Sequence, residues 1–177
     1  MKTLLVYWSK NGSNRFMADK LSEDQGCDIE KLEPRVEGAV IPATATRISM
    51  GNRRLKKNIE DYQNLIVCGP LYMGRMAAPC SDFIRKYGKR FDRISCVTCC
   101  GSTDEKKDDT FGYGRVFSAL KKRLGASCGF FGAMPIDLIL SDEQRGDDQA
   151  MMNARLNSDS WNDAAETRLR SMVENLR

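Results

Sequence analysis

The sequence predicts an α/β protein of three layers, an α/β/α sandwich with helices on both faces of a five-stranded parallel sheet. Three observations carry this. Short apolar runs alternate with segments of helical periodicity along the chain, and a repeated β-α order calls for a parallel sheet with right-handed crossovers. The clearest strand, Asn64-Leu65-Ile66-Val67-Cys68, is apolar after its first residue, which implies burial on both faces. The chain has 177 residues, 41% hydrophobic and 29% charged. That is an ordinary globular composition, long enough for one domain over residues 1–177 with a substantial core.

Met1–Trp8 (MKTLLVYW) is an apolar run after Lys2 that stops at the polar cluster Ser9–Asn14, as a strand entering a tight turn does. Phe16, Met17, Ala18 and Leu21 then give an apolar helical face up to Asp24, and Cys27–Leu32 reads as a short strand. Residues 34–63 are expected to form a loop and then one helix. Pro34 and Pro42 interrupt regular structure there, while Ile48, Leu55 and Ile59 recur at helical spacing around Gly51.

After the strand at 64–68, Gly69-Pro70 forces a turn, and Pro79 opens a helix carrying Phe83, Ile84 and Tyr87 that closes at Gly88. Ile94–Thr98 is a strand ending in Cys99-Cys100-Gly101. Val116, Phe117, Leu120 and Leu124 mark a helix ended by Gly125. Ser127–Phe131 is the fifth strand, with Ile136–Leu140 as an extension or an added short strand. Residues 141–158 are polar and read as a surface insertion. Trp161, Ala165, Leu169, Met172, Val173 and Leu176 define the most periodic helix, with Asp159-Ser160 and Asp163 as its capping signal.

Composition narrows the chemistry. The chain has no histidine, which excludes Ser-His-Asp and Cys-His catalysis, His-ligated zinc and proximal-His haem. Its net charge is +4. The basic clusters (Arg53, Arg54, Lys56, Lys57; Lys121, Lys122, Arg123) lie beside acids and read as solvated faces, so no nucleic-acid partner is expected. The seven cysteines show no disulfide-scaffold spacing. With no signal peptide and no apolar run near membrane-spanning length, a cytoplasmic protein with reduced thiols is expected. Cys99-Cys100 reads as small residues at a strand end rather than a redox pair.

Ligands of an open parallel sheet sit outside the carboxyl ends of its strands, and three loops at such ends are unusual. Ser9–Asn14 has no large apolar residue, one glycine and many hydroxyl and amide side chains. Such a turn directs backbone N–H groups and a helix N-terminus at one point, which suits a phosphate. Neither the GxxxxGK[ST] nor the GxGxxG fingerprint occurs, and an ordinary capped turn is the alternative. Gly69-Pro70-Leu71-Tyr72-Met73-Gly74-Arg75-Met76 suits backbone contact with a planar ring and stacking by Tyr72, or is simply a packed loop. Thr98-Cys99-Cys100-Gly101-Ser102, all small, lets backbone approach a ring from the other side.

Taken together these segments resemble the flavodoxin-like family of FMN proteins. MKTLLVYWSKNGSNRFMADKLS is similar to the family's first strand and phosphate loop, usually [ST]-x-[ST]-G-[NS]-[ST]; Asn11 and Asn14 stand where a hydroxyl residue is usual. DYQNLIVCGPLYMGRMAAPCSDFIRKYG is similar to family segments of the type YDLIIIGSPVWAGRPAPPVRTFL, with the same Gly-Pro-aromatic-x-Gly-Arg spacing, and CVTCCGS resembles the fourth strand and its loop. The resemblance implies strand order 2-1-3-4-5 and bound FMN. It implies that Ser9, Lys10, Asn11, Gly12, Ser13 and Asn14 hold the phosphate. Pro70, Leu71, Tyr72, Met73 and Gly74 would contact one side of the ring, and Thr98, Cys99, Cys100 and Gly101 the ribityl chain and ring from the other. Tyr113 is not assigned to the site, although short-chain flavodoxins often carry a stacking tyrosine there.

The implied role is redox. One form is electron transfer between partner proteins. The other is an NAD(P)H-dependent reductase acting on a quinone or similar small-molecule acceptor. A flavodoxin-shaped binding domain without cofactor is the third possibility. The net positive charge, and Arg75 within the ring loop, favour a less negative potential and a two-electron role.

Overall fold

The computed structural model describes residues 1–176. Its main sheet contains β1 (Thr3–Tyr7), β2 (Asp28–Lys31), β3 (Asn64–Cys68), β6 (Arg93–Cys100) and β7 (Cys128–Pro135), while β4 (Leu71–Tyr72) and β5 (Arg75–Met76) form a separate small hairpin. The sheet order is β2-β1-β3-β6-β7 and every pairing is parallel. Numbering only the five sheet strands, this is the expected 2-1-3-4-5.

Alternation along the strands divides the core. Leu4, Val6, Leu65, Val67, Ile94 and Cys96 face one way, toward α2 (Val40–Thr46), α3 (Ala78–Tyr87) and α4 (Tyr113–Leu124). Leu5, Ile66, Cys68, Val97 and Cys99 face α1 (Ser13–Gln25) and α6 (Asp163–Leu176). The fully apolar strands are the central ones, because only these are covered on both sides.

Several boundaries differ from the sequence reading. The helix between β2 and β3 is α2, which precedes Ile48 instead of spanning Ile48–Ile59. Pro42 does not break it, because it sits in the first turn, where backbone N–H groups have no intrahelical partner. The segment after α2 is anchored by tertiary hydrogen bonds. The buried carboxylate of Asp82 on α3 accepts from the amides of Met50 (3.0 Å) and Gly51 (2.8 Å) and pairs with Arg85 (2.7 Å).

Ile136–Leu140 is not a strand. β7 itself runs on to Pro135, and Ile136–Ile139 is a 3-10 turn that starts at the proline. The polar insertion contains a short helix, α5 (Asp148–Asn153), N-capped by Asp147. The cap of α6 is Asn162, whose side-chain oxygen accepts from the Ala165 amide (2.9 Å), whereas Ser160 donates to the Arg155 carbonyl.

At the sheet edge, Asp28 accepts from Lys57 and from the Tyr62 hydroxyl, each at 2.8 Å. The hydrogen bond from Lys57 first, then that from Tyr62, lowers the Asp28 pKa from 3.8 to about 2. A carboxylate whose pKa is depressed on folding adds stability above its unfolded pKa and loses it as pH falls through the folded value. Asp28→Asn is therefore expected to flatten the decline in melting temperature between pH 4 and 2 (roughly the interval separating the two values). Parallel profiles for the two proteins would contradict this contribution.

Candidate functional site

A cleft of about 150 Å³ opens at the carboxyl ends of the strands, where the loops after β1, β3 and β6 converge. Ser9, Lys10, Asn11, Ser13 and Asn14 form one end. Pro70, Leu71 and Tyr72 line one side, and Cys99, Cys100 and Gly101 the other. The cleft sits beside β1 and β3, where the chain order reverses, as expected for open α/β sheets.

The Ser9–Asn14 end leaves backbone donors open. Gly12 caps α1 at φ 92°, a conformation that glycine adopts without a Cβ penalty, and its amide donates to Ser9 Oγ at 3.1 Å. Among the described residues, the amides of Asn11, Ser13, Asn14 and Arg15 make no hydrogen bond within the protein; the first intrahelical bond is Phe16 N–H to the Gly12 carbonyl. These partner-free amides and the positive end of α1 give an anion both donors and field.

Asn14 has a different job from a phosphate donor. It is 4% exposed, and its side-chain amide donates to the Cys99 carbonyl (3.0 Å) and accepts from the Cys99 amide (2.9 Å). β3 ends at Cys68, opposite Val97, so Asn14 supplies the pairing that the Cys99 amide would otherwise lack. An asparagine presents both a donor and an acceptor; a hydroxyl cannot reproduce this pair in the same way.

Four expected residues do not line the cleft. Gly12 acts through its backbone, as above. Thr98 is fully buried within the β6–β7 ladder, paired with Ala133. Met73 and Gly74 turn at φ 50° and 68°, two successive left-handed residues of the kind a tight two-residue hairpin requires. That turn carries them away from the cleft and onto Thr110 and Phe111. Arg75 leaves the ring side too. Its guanidinium donates to the carbonyls of Thr44 and Ala45 at the end of α2, so it offers no charge to a ring in the cleft.

The insertion supplies residues that the sequence reading missed. Met151, Ala154 and Arg155, together with Ile136, complete the cleft wall. The Leu156 amide donates to Ser13 Oγ (3.0 Å), and Leu156 itself is buried in the core with α1 and α6. This anchor holds Arg155 in the cleft lined also by Ser9–Asn11 and Ser13. Arg155 Nη1 donates to the carbonyls of Met152 and Ala154 at 2.7 and 2.6 Å, which fixes the guanidinium while leaving its other nitrogens free. Lys10 and Arg155 are the only charged residues lining the cleft among those described. A sparse pair of apolar residues, Met151 and Leu156, was the only sequence signal that the insertion packs inward.

The cysteines are thiols here. Burial raises the pKa of Cys80 and of Cys100 to about 12 and pushes Cys68, Cys96 and Cys99 up as well. Cys99 packs with the α1 and α6 face and Cys100 with Phe117 and Ala133 on the opposite one, as successive strand residues must. This bears on the vicinal-pair alternative, since the two sulfurs point apart. Tyr113 opens α4 and donates to Asp104, outside the cleft.

No protein-family model matches the chain, and no curated protein does. Solved structures do match. A candidate flavoprotein from Bacteroides eggerthii superposes with a TM-score of 0.66 at 13% identity, covering 99% of this chain and 97% of that one. A flavoprotein from Lactobacillus acidophilus solved in complex with FMN gives 0.56 at 15% identity, over 77% of this chain and 93% of its own. A short-chain flavodoxin associated with a bacterial microcompartment gives 0.52 at 15%, over 99% and 97%. At these identities the likeness is one of fold. The chain has a flavodoxin-like α/β architecture with an open cleft at its strand ends. Among the described residues, no helix is long and apolar enough to cross a membrane.

Proposed function

We propose that this chain, as one flavodoxin-like unit over residues 1–177, binds a single FMN in the cleft and transfers electrons. The observation that carries the reading is the pairing of two chemistries in one shallow site. Partner-free amides with Lys10 and Arg155 lie at one end, and Pro70-Leu71-Tyr72 faces Cys99–Gly101 at the other. This suits one phosphate and one flat ring, and the residues fit the group. The FMN complex of similar fold from Lactobacillus acidophilus supports the same reading.

FMN, when bound, supplies reversible redox chemistry, and the protein's part is to position the ring and set its surroundings. Asn11, Ser13 and the first turn of α1 would hold the phosphate through backbone N–H groups. Lys10 and Arg155 would add charge, and Tyr72, braced edge-on by buried Trp8 at 6.2 Å, would offer its ring to the isoalloxazine. The cleft is smaller than the roughly 300–1,000 Å³ of sites that bury a drug-sized ligand, so a ring held here keeps an edge in solvent, open to contact transfer.

The test is titration of apo-protein into FMN, with quenching of flavin fluorescence expected; unchanged fluorescence would overturn the reading. Tyr72→Ala is expected to weaken FMN binding by about 1–3 kcal/mol, on the scale of aromatic stacking on bases. Arg155→Gln is expected to weaken FMN about tenfold, or ~1.4 kcal/mol, while riboflavin, lacking the phosphate, binds both proteins equally. An equal loss for the two flavins would place Arg155 on the ring instead.

A second reading is a two-electron NAD(P)H reductase: no acid lines the cleft among the described residues, so no like charge in its lining opposes an anionic reduced flavin. Stepwise one-electron reduction without NAD(P)H oxidation means carrier. Direct bleaching of the flavin by NAD(P)H means reductase.

A further inference from the structure

A second groove, of about 700 Å³, lies on the far side of the β4–β5 hairpin from the FMN cleft. The turn residues Met73 and Gly74 form one end, the carboxyl end of α2 and one face of α3 form a wall, and α4 runs along the other side. Its charge is one-sided. Arg47, Arg75, Arg85, Arg115 and Arg123 line it, against a single acid, Asp82. Arg75 is engaged by α2 carbonyls and Arg85 by Asp82. Arg47, Arg115 and Arg123 are exposed and have no hydrogen-bond or ion-pair partner among the described residues. Arg115 and Arg123 stand eight residues apart on α4, about 12 Å along its axis.

The groove is apolar as well as basic. Of the exposed large hydrophobic side chains, Ile48 (65%), Met73 (50%) and Phe111 (65%) all line it. Such clustering marks an interaction surface rather than chance exposure. Met73 is held there against its backbone preference, since φ 50° is strained for a residue with a Cβ. The packing of Gly74 explains how. A Cβ at Gly74 would lie 3.0 Å from the Thr110 carbonyl and 3.4 Å from Phe111, so the turn is pressed onto residues 110–111 and Met73 is presented beside Phe111.

We propose that this groove docks a partner protein through an amphipathic segment bearing carboxylates around an apolar side chain. The commitment to an acidic partner follows from charge complementarity. Covering three unpaired guanidinium groups with a neutral surface would desolvate them without compensation, whereas carboxylates match the planar fork of arginine. The apolar rim then sets the register, and Met73 and Phe111 act as its anchors. The hairpin that builds this groove also contributes Leu71 and Tyr72 to the cleft, so a docked partner lies next to the proposed flavin. That placement rests on the FMN reading; the binding itself does not.

The test uses the full chain and a fluorescein-labelled amphipathic peptide of alternating Glu and Leu-Phe faces, followed by anisotropy with and without FMN. Binding at 50 mM salt that weakens at 300 mM is expected. The variant R47Q/R115Q/R123Q should lose at least tenfold. R53Q/R54Q/K56Q, which removes equal charge elsewhere, should bind as wild type. Met73→Gly, which relieves the strained φ, should weaken binding several-fold with unchanged or raised melting temperature, separating docking from folding.

The proposal fails if the wild type does not bind the peptide, or if the control triple variant loses as much as the groove variant. It also fails if pyrophosphate or NADPH displaces the peptide at equal or lower concentration, making the groove a small-anion site. A dimer in sedimentation that the groove variant dissociates would assign the face to a second copy of the chain and overturn it too. If FMN does not bind while the peptide does, only the redox reading falls.

Discussion

Asn14→Ala is expected to lower stability by about 1–3 kcal/mol and to take FMN binding with it. The side chain accepts from the Cys99 amide, which has no other partner among the described residues, and donates to the Cys99 carbonyl beyond the end of β3. Alanine leaves the buried Cys99 amide unsatisfied, at a cost of about 1–3 kcal/mol, while the Cys99 carbonyl keeps the Thr98 hydroxyl at 3.4 Å. The same bonds tie the first turn of α1 to the end of β6, so their loss frees the phosphate loop from the ring loop. Urea unfolding measures the first effect and FMN fluorescence the second. A destabilisation under about 1 kcal/mol would mean that water replaces the asparagine without penalty, and that the two loops are not coupled through it.

Gly12→Val is expected to reduce FMN affinity at least a hundredfold, about 2.7 kcal/mol. The reason is conformational. A Cβ at Gly12 meets nothing within 4 Å, so no neighbour rejects the side chain. What rejects it is φ 92°, which a β-branched residue adopts only under strain of about 1–3 kcal/mol. The loop then relaxes to negative φ, and the amides of Asn11, Ser13 and Asn14 no longer point at one site. Part of the cost appears as lost stability, so unfolding and binding must be measured together. Binding unchanged in a folded Gly12→Val protein would show that the anion site does not depend on this turn.

The sequence by itself determined the β-α alternation, the strands within 1–8, at 64–68 and at 94–98, the absence of histidine chemistry, and the three loops that meet at the cleft. These are local signals. A doubly buried strand must be apolar along its length, as Leu65–Cys68 is, and a tight strand-to-helix turn needs a residue such as Gly12. What only the tertiary structure decided concerns groups whose partners lie far off in sequence. Asn14 reads as an imperfect phosphate ligand until Cys99, 85 residues away, is seen to bind it. Arg155 sits in a polar stretch that gives no periodicity, and it reaches the cleft because Leu156 is anchored on Ser13 and in the core. Met73, Gly74 and Arg75 share a loop with Tyr72, yet a two-residue hairpin sends them to the opposite side. Direction of a side chain at a turn depends on positive φ and on what the turn packs against. Neither is encoded in spacing along the chain, because both are settled by contacts that exist only once the chain has folded.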